Sequence, residues 1–135
     1  MHYLLDTNVC VVYLNGRSTK VRDRLLATPL NEMAVCSVVK AELFYGAMRS
    51  NNPTETVKRQ QEFLQQFVSL PFGDEAAKAF GRIRAQLASV GTPIGAYDLQ
   101  IAAIAMVNGL TLVTHNTREF DRVEGLRLED WELGV

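Results

Sequence analysis

Three carboxylates stand where the sequence gives them no polar company. Asp6 ends the apolar stretch Tyr3-Leu4-Leu5, Glu42 lies inside Val38-Val39-Lys40-Ala41-Glu42-Leu43-Phe44-Tyr45, and Asp98 opens the run Leu99-Gln100-Ile101-Ala102-Ala103-Ile104. Taking an unpaired carboxylate out of water is costly, so each needs a partner where it sits. Asp6 and Asp98 have an ordinary alternative as acids at helix N-termini. Glu42 is harder to account for in that way: it lies well past the expected helix cap Ser37, and Lys40, two positions off, faces elsewhere. Carboxylates gathered at one place repel, and a hard divalent cation is the usual way to hold them; oxygen-only ligation favours Mg²⁺ or Mn²⁺. Zinc would want His or Cys nearby. Such a metal acts as a Lewis acid and lowers the pKa of a bound water, whereas hydrolysis without a metal needs a general acid and base, usually His. Only His2 and His115 are present, and His115 reads as a surface residue at a strand end.

The segment Thr114-His115-Asn116-Thr117-Arg118-Glu119-Phe120 is expected at the same place. Thr114 and Asn116 can hydrogen-bond the carboxylates. Glu119, three residues after Asn116, shares its face in a helical turn and is a candidate fourth carboxylate, the alternatives being a solvated side chain or a cap.

These residues must be positioned by short strands alternating with helices. Strands are expected at 3–5, 33–36, 68–70, 110–114 and, at an edge, 126–128. Helices are expected from a Thr7 or Asn8 cap through Leu14, from Ser18 to Ala27, over Val38–Met48, from Asn52-Pro53 to Phe67, from Asp74 to Val90, from Gly95 to Asn108, and as one turn at Thr117–Phe120. Strands separated by helices require parallel neighbours, which makes the fold class α/β with a parallel central sheet and helices on both faces. Ligands of such sheets bind at the carboxyl ends of the strands. Asp6 ends the first strand and Glu42 lies one turn into the helix leaving the second, so both face that rim.

With 135 residues the chain suits one domain, and 47% apolar against 21% charged residues excludes disorder. Its longest apolar run, Ile101–Val107, is too short for a membrane span, and the start, with no Lys or Arg before Asp6, is not that of a signal peptide. Cys10 and Cys36 fit reduced, buried thiols. A cytoplasmic protein is expected, without a membrane partner. The net charge of −1 neither announces nor excludes a nucleic-acid ligand. Most of the 14 basic residues are Arg, the side chain that grips phosphate in a fork, and Arg17, Lys20, Arg82, Arg84 and Arg118 are candidate phosphate contacts, against the alternative of solvated helix faces.

In sequence the chain resembles the PIN-domain ribonucleases, and among them the VapC toxins of bacterial toxin–antitoxin pairs. The resemblance rests on Leu4-Leu5-Asp6-Thr7-Asn8, Ala41-Glu42-Leu43 with Tyr45-Gly46-Ala47, Gly91-Thr92-Pro93-Ile94-Gly95 leading to Asp98, Ile101-Ala102-Ala103, and Thr114-His115-Asn116 with Arg118-Glu119-Phe120. It covers essentially residues 1–135 as a single PIN domain and implies an α/β/α sandwich. It also implies a Mg²⁺-dependent (or Mn²⁺-dependent) endoribonuclease with Asp6, Glu42 and Asp98 as metal ligands, Glu119 among the catalytic acids, and Asn8, Thr114 and Asn116 around them. Many PIN domains carry Asp at the place of Asn116, which leaves the fourth ligand to Asn116 or Glu119. The ending Leu126-Arg127-Leu128-Glu129-Asp130-Trp131 is similar to a branch that cleaves initiator tRNA in the anticodon loop. Implied partners are a VapB-type antitoxin, a second copy in a homodimer, a heterotetramer or larger complex with antitoxin, and operator DNA only through the antitoxin. A catalytically silent PIN-like module and a structure-specific DNA nuclease are the alternative functions.

Overall fold

The strand that carries Asp6, β1 (Tyr3–Leu5), lies at the centre of a five-stranded, wholly parallel sheet in a computed structural model that describes every residue from Met1 to Val135. The order is β3 (Val68–Leu70), β2 (Met33–Cys36), β1, β4 (Thr111–Val113), β5 (Leu128–Glu129). Tyr3 pairs with Met33 on one side and Thr111 on the other. β2 and β4 are buried along their whole length, as strands covered on both faces must be, and this is why β2 reads as an unbroken apolar run.

Parallel pairing requires crossovers, supplied by α1 (Thr7–Leu14) and α2 (Thr19–Ala27), then α3 (Ser37–Met48) and α4 (Pro53–Leu64), then α5 (Asp74–Ser89) and α6 (Ala96–Val107), then the single turn α7 (Thr117–Phe120). The chain moves outward from β1 to β3 and then jumps back past β1 to β4. Right-handed crossovers in the two directions put helices on both faces of the sheet. The reversal falls between β1 and β4, whose carboxyl ends therefore open a crevice. One cluster of 32 buried apolar residues fills the interior, Trp131 and Phe120 being its largest fully buried side chains. No helix is long and apolar enough to cross a membrane.

The expected elements are all present, and the differences lie at their ends. Asp6, not Thr7 or Asn8, caps α1, its carboxylate accepting the Thr7 N–H. Ser37 and Asp74 are the first residues of their helices, after Cys36 and Gly73. α4 stops at Leu64 instead of Phe67, because Gln66 and Phe67 donate three residues back, to Phe63 and Leu64, and tighten the chain into a turn. Phe67 is apolar because it packs edge-on against Phe63, 5.0 Å between centroids, not because it extends a helical face. β5 is shifted to Leu128–Glu129, and a 3-10 turn at Leu30–Glu32 leads into β2 without a signal recognised in the sequence. Gly91 takes the left-handed conformation, φ 72°, that ends α5 and turns the chain toward α6.

Leu4 is fully buried in the central strand. Leu4→Ala is expected to lower the unfolding free energy by about 2–5 kcal/mol, read from urea denaturation, through lost burial and the cavity left behind.

Candidate active site

Asp6 is the residue on which the crevice closes. The residue is only 3% exposed. Oδ1 accepts the Thr7 N–H at 2.8 Å, and Oδ2 accepts the Thr114 hydroxyl at 2.8 Å. Thr114 immediately follows β4, so this bond joins the carboxyl ends of the two strands that flank the reversal. The Thr114 hydroxyl oxygen in turn accepts the Asn116 N–H at 3.0 Å, which fixes the start of the next turn. Thr7 points its hydroxyl the other way and donates to Glu42 Oε1 at 2.7 Å. Glu42 stands in the second turn of α3, and Thr7 thus ties the acid of the second crossover to the acid at the end of β1.

Asp98 arrives from the far side. α6 leads through a tight turn at Asn108–Leu110 into β4, so it runs against the strand and its first turn lies at the strand's carboxyl end. Glu119 braces that first turn: Oε1 accepts the Gly95 N–H and Oε2 accepts the Asn116 amide, both at 3.1 Å. Arg122 adds a second tie, donating to the Pro93 carbonyl at 3.1 Å.

The electrostatics show that the four acids share one region. Burial raises the Asp6 carboxyl above the ordinary value of 3.8, against the lowering hydrogen bonds of Thr114 and Thr7, and the charges of Glu42 and Glu119 raise it further. Asp98 is pushed up to about 7, by burial first and then by the charges of Asp6, Glu119 and Glu42. Glu119 is held below its ordinary value by the bonds from Asn116 and Gly95. No Lys or Arg forms an ion pair with any of the four. A set of oxygen donors without a Lys or Arg ion-pair partner, with Arg122 acting on Glu119 only through its charge, fits a hard divalent ion.

Other expected site residues fall differently. Asn8 is exposed in α1 and makes no hydrogen bond to these acids; Thr7, one residue earlier, does that work with both its N–H and its hydroxyl. Arg17, Arg82, Arg84 and Arg118 are all exposed. Arg84 lies over the Phe80 ring and lines an apolar cleft with Leu87, Ile94 and Leu99, a lining that includes none of the four acids. Two other arginines, Arg49 and Arg59, line clefts with Glu42, and the signal of Arg49 was its spacing: seven residues after Glu42, two turns along the same face of α3.

His115 belongs to a separate group. Its Nδ1 lies 2.9 Å from Asp130 Oδ2 and 3.4 Å from Glu132 Oε2, and Asp130 is also bonded through its backbone to Val135. These three side chains are the tightest cluster of metal-capable groups, within 4.8 Å of one another, and they fasten the C-terminal turn to the end of β4. Cys10 and Cys36 are buried, and burial raises both thiols, Cys36 to about 11, so neither is a thiolate nucleophile at neutral pH.

Asp98 has a stability consequence with a definite sign. The unfolded chain releases this proton near 3.8 and the folded protein near 7, so the folded state binds more protons between those values. Its contribution is complete at low pH and is lost as pH rises through about 7. Thermal denaturation of metal-free protein should show Asp98→Asn gaining on the wild type as pH is raised from 5 to 8; an equal or lower relative Tm at pH 8 contradicts the charge crowding described here.

Against known proteins, the PIN-domain family profile matches residues 3–126. The tRNA(fMet)-specific endonuclease VapC of Shigella flexneri is 40% identical over 131 residues, 97% of this chain and 98% of that protein. The DNA-bound VapBC structure from Salmonella typhimurium contains a chain that superposes with a TM-score of 0.91 at 37% identity, covering 97% of this chain and 98% of that one. VapBC2 from Rickettsia felis, bound to a promoter DNA fragment, gives 0.89 at 35% identity over 97% and 99% of the two chains. With its parallel sheet, its acids at the reversal and relatives matched from end to end, the chain belongs to the PIN-domain family, as a metal-dependent VapC ribonuclease of the VapBC toxin–antitoxin type.

Proposed function

We propose that this ribonuclease, acting as one PIN domain over residues 1–135, cleaves initiator tRNA in the anticodon loop with Mg²⁺, or Mn²⁺, held by Asp6, Glu42 and Asp98. The observation that carries the metal site is the mutual charging of acids drawn from β1, α3 and α6, with Asp98 raised to about 7 in their company. The likeness to tRNA(fMet)-specific relatives supports the substrate. The bound ion supplies a Lewis acid for the scissile phosphate and a water of lowered pKa.

The chain's own residues do the rest. Thr114 and Thr7 hold Asp6 and Glu42 through hydrogen bonds that leave each carboxylate further lone pairs for a metal ion. Glu119 completes the acidic set and, through Gly95, keeps the first turn of α6, and Asp98 with it, at the rim. Asn116 holds Glu119 in place, so Glu119 and not Asn116 takes the fourth acidic role. A single-stranded loop suits the site because its phosphate can reach a crevice below the helix ends without the bulk of a duplex. In the cell the reading is a cytoplasmic toxin, a homodimer that a VapB-type antitoxin silences in a heterotetramer or larger assembly, with operator DNA reached only through the antitoxin. The VapBC complexes among its structural neighbours support that partnership.

Cleavage of total tRNA by antitoxin-free protein tests this. Specific fragments should appear with Mg²⁺ or Mn²⁺, disappear with EDTA, and map to the initiator anticodon loop. Asp6→Asn, which keeps shape and removes charge, should lower kcat/KM by about 10³-fold, the equivalent of several kcal/mol of transition-state stabilisation. Fragments that survive both EDTA and Asp6→Asn would sink the mechanism, and fragments from another RNA would redirect the substrate. Thr114→Val, which leaves Asp6 Oδ2 without its donor, should cost about 10–100-fold in activity or metal affinity; isothermal titration with Mn²⁺ separates the two.

A further inference from the structure

Glu42 has neighbours on its helix face that the metal chemistry does not use. Tyr45 lies three residues on and Arg49 seven, so the three share one side of α3. The Arg49 guanidinium lies over the Tyr45 ring, 5.0 Å from its centroid. Tyr97 comes from the other wall, the residue directly before Asp98 in α6. Both rings remain largely in water, 64% and 61% exposed. With Thr7, Glu42, Gly46 and Arg49 they line an open cleft of about 490 Å³.

Gly46 is a separate observation. Glycine inside a helix is less favourable than alanine, and the usual reason for keeping it is a neighbour that leaves no room for a Cβ. Here nothing lies within 4 Å of a Cβ built at Gly46. The absent side chain leaves space in the cleft instead of relieving a clash.

Resting on the ribonuclease reading above, we infer that the cleft between Tyr45 and Tyr97 is a nucleobase site, in which an unpaired base beside the scissile phosphate stacks on a tyrosine ring and Arg49 takes a flanking phosphate. Aromatic faces next to a guanidinium are the chemistry by which single strands are gripped, because every base has a π face and every linkage an anionic oxygen. Glu42 lines the cleft, which puts the stacked base within a nucleotide of the metal-binding acids. A paired base cannot turn its face to a ring, so the slot favours loops over helices. A peptide would gain less: apart from Ala41 and the ring faces, the lining offers Thr7, Glu42 and Arg49 but no aliphatic pocket.

The test is steady-state cleavage of a loop RNA by Tyr45→Ala, Tyr97→Ala and Gly46→Leu, with thermal denaturation as a check on folding. Each should raise KM by about 5- to 100-fold, the size of a lost base–aromatic stack, and leave kcat little changed. Tyr45→Phe and Tyr97→Phe keep the ring and should keep the wild-type KM. Wild-type protein should also quench 2-aminopurine placed beside the cleavage site in a five-nucleotide RNA, a readout independent of turnover. Unchanged KM in all three variants overturns the inference, as does a fall in kcat alone. Weaker binding of antitoxin with KM intact overturns it too, and assigns the cleft to protein docking. A wild type that cuts no RNA counts against the ribonuclease reading, and the quench then decides the stack: its absence from the wild type, or its survival in Tyr45→Ala and Tyr97→Ala, overturns the base site.

Discussion

The hydrogen bond from Thr114 to Asp6 Oδ2 joins the ends of β4 and β1 in a fully buried position, and the geometry of the rim depends on it. A carboxylate this far from water must have its oxygens satisfied. The fold meets that need with a helix cap on one oxygen and a neighbouring strand's hydroxyl on the other. Because the same Thr114 oxygen accepts from Asn116, the path of the chain after β4 is fixed by the group that orients Asp6. Asn116 then holds Glu119, and Glu119 holds the start of α6. A continuous line of hydrogen bonds therefore runs from the central strand to the turn that carries Asp98.

The arrangement stabilises chemistry at the expense of the empty fold. Bringing Asp98 toward Asp6, Glu42 and Glu119 raises its carboxyl to about 7, and no lysine or arginine forms an ion pair with any of the four. The rest of the molecule must supply the stability that this rim withdraws. It does so through a core of 32 buried apolar residues and a sheet with both faces covered. The C-terminal turn adds its own fastening, with His115 on Asp130 and Glu132, and Arg24 bridging Tyr3, Glu129 and the Trp131 ring. These contacts sit behind the edge strand β5, where a short strand would otherwise fray.

Most of the architecture was legible in the sequence. Short strands separated by helices required parallel neighbours joined by crossovers, and Asn52-Pro53 marked a helix start for a backbone reason that holds in any context. Helix starts were less legible, because Ser37, Asp74 and Thr7 are all good caps in isolation and tertiary pairing decided which residue lay outside the first turn. The end of α4 was misread for a similar reason: Phe67 has the right spacing for a helical face but serves the core from a turn.

The acids followed the same division. Asp6, Glu42 and Asp98 stood out by themselves, since a charge in an apolar segment is anomalous whatever surrounds it. What holds them did not stand out. Thr7 was hidden behind the more conspicuous Asn8, because the choice between adjacent polar residues depends on which one the first turn of α1 points at Glu42. Glu119 read equally well as a ligand or a cap, and its bond to Gly95, 24 residues earlier, exists only once α6 and α7 are packed together. Arg49, Tyr45 and Tyr97 became neighbours of one cleft by the same packing. Sequence alone determined which residues were chemically out of place and which periods they interrupted, because both are local properties. Only the tertiary structure decided which polar groups satisfy them, because a hydrogen bond is made within about 3 Å and its partners lie on different crossovers.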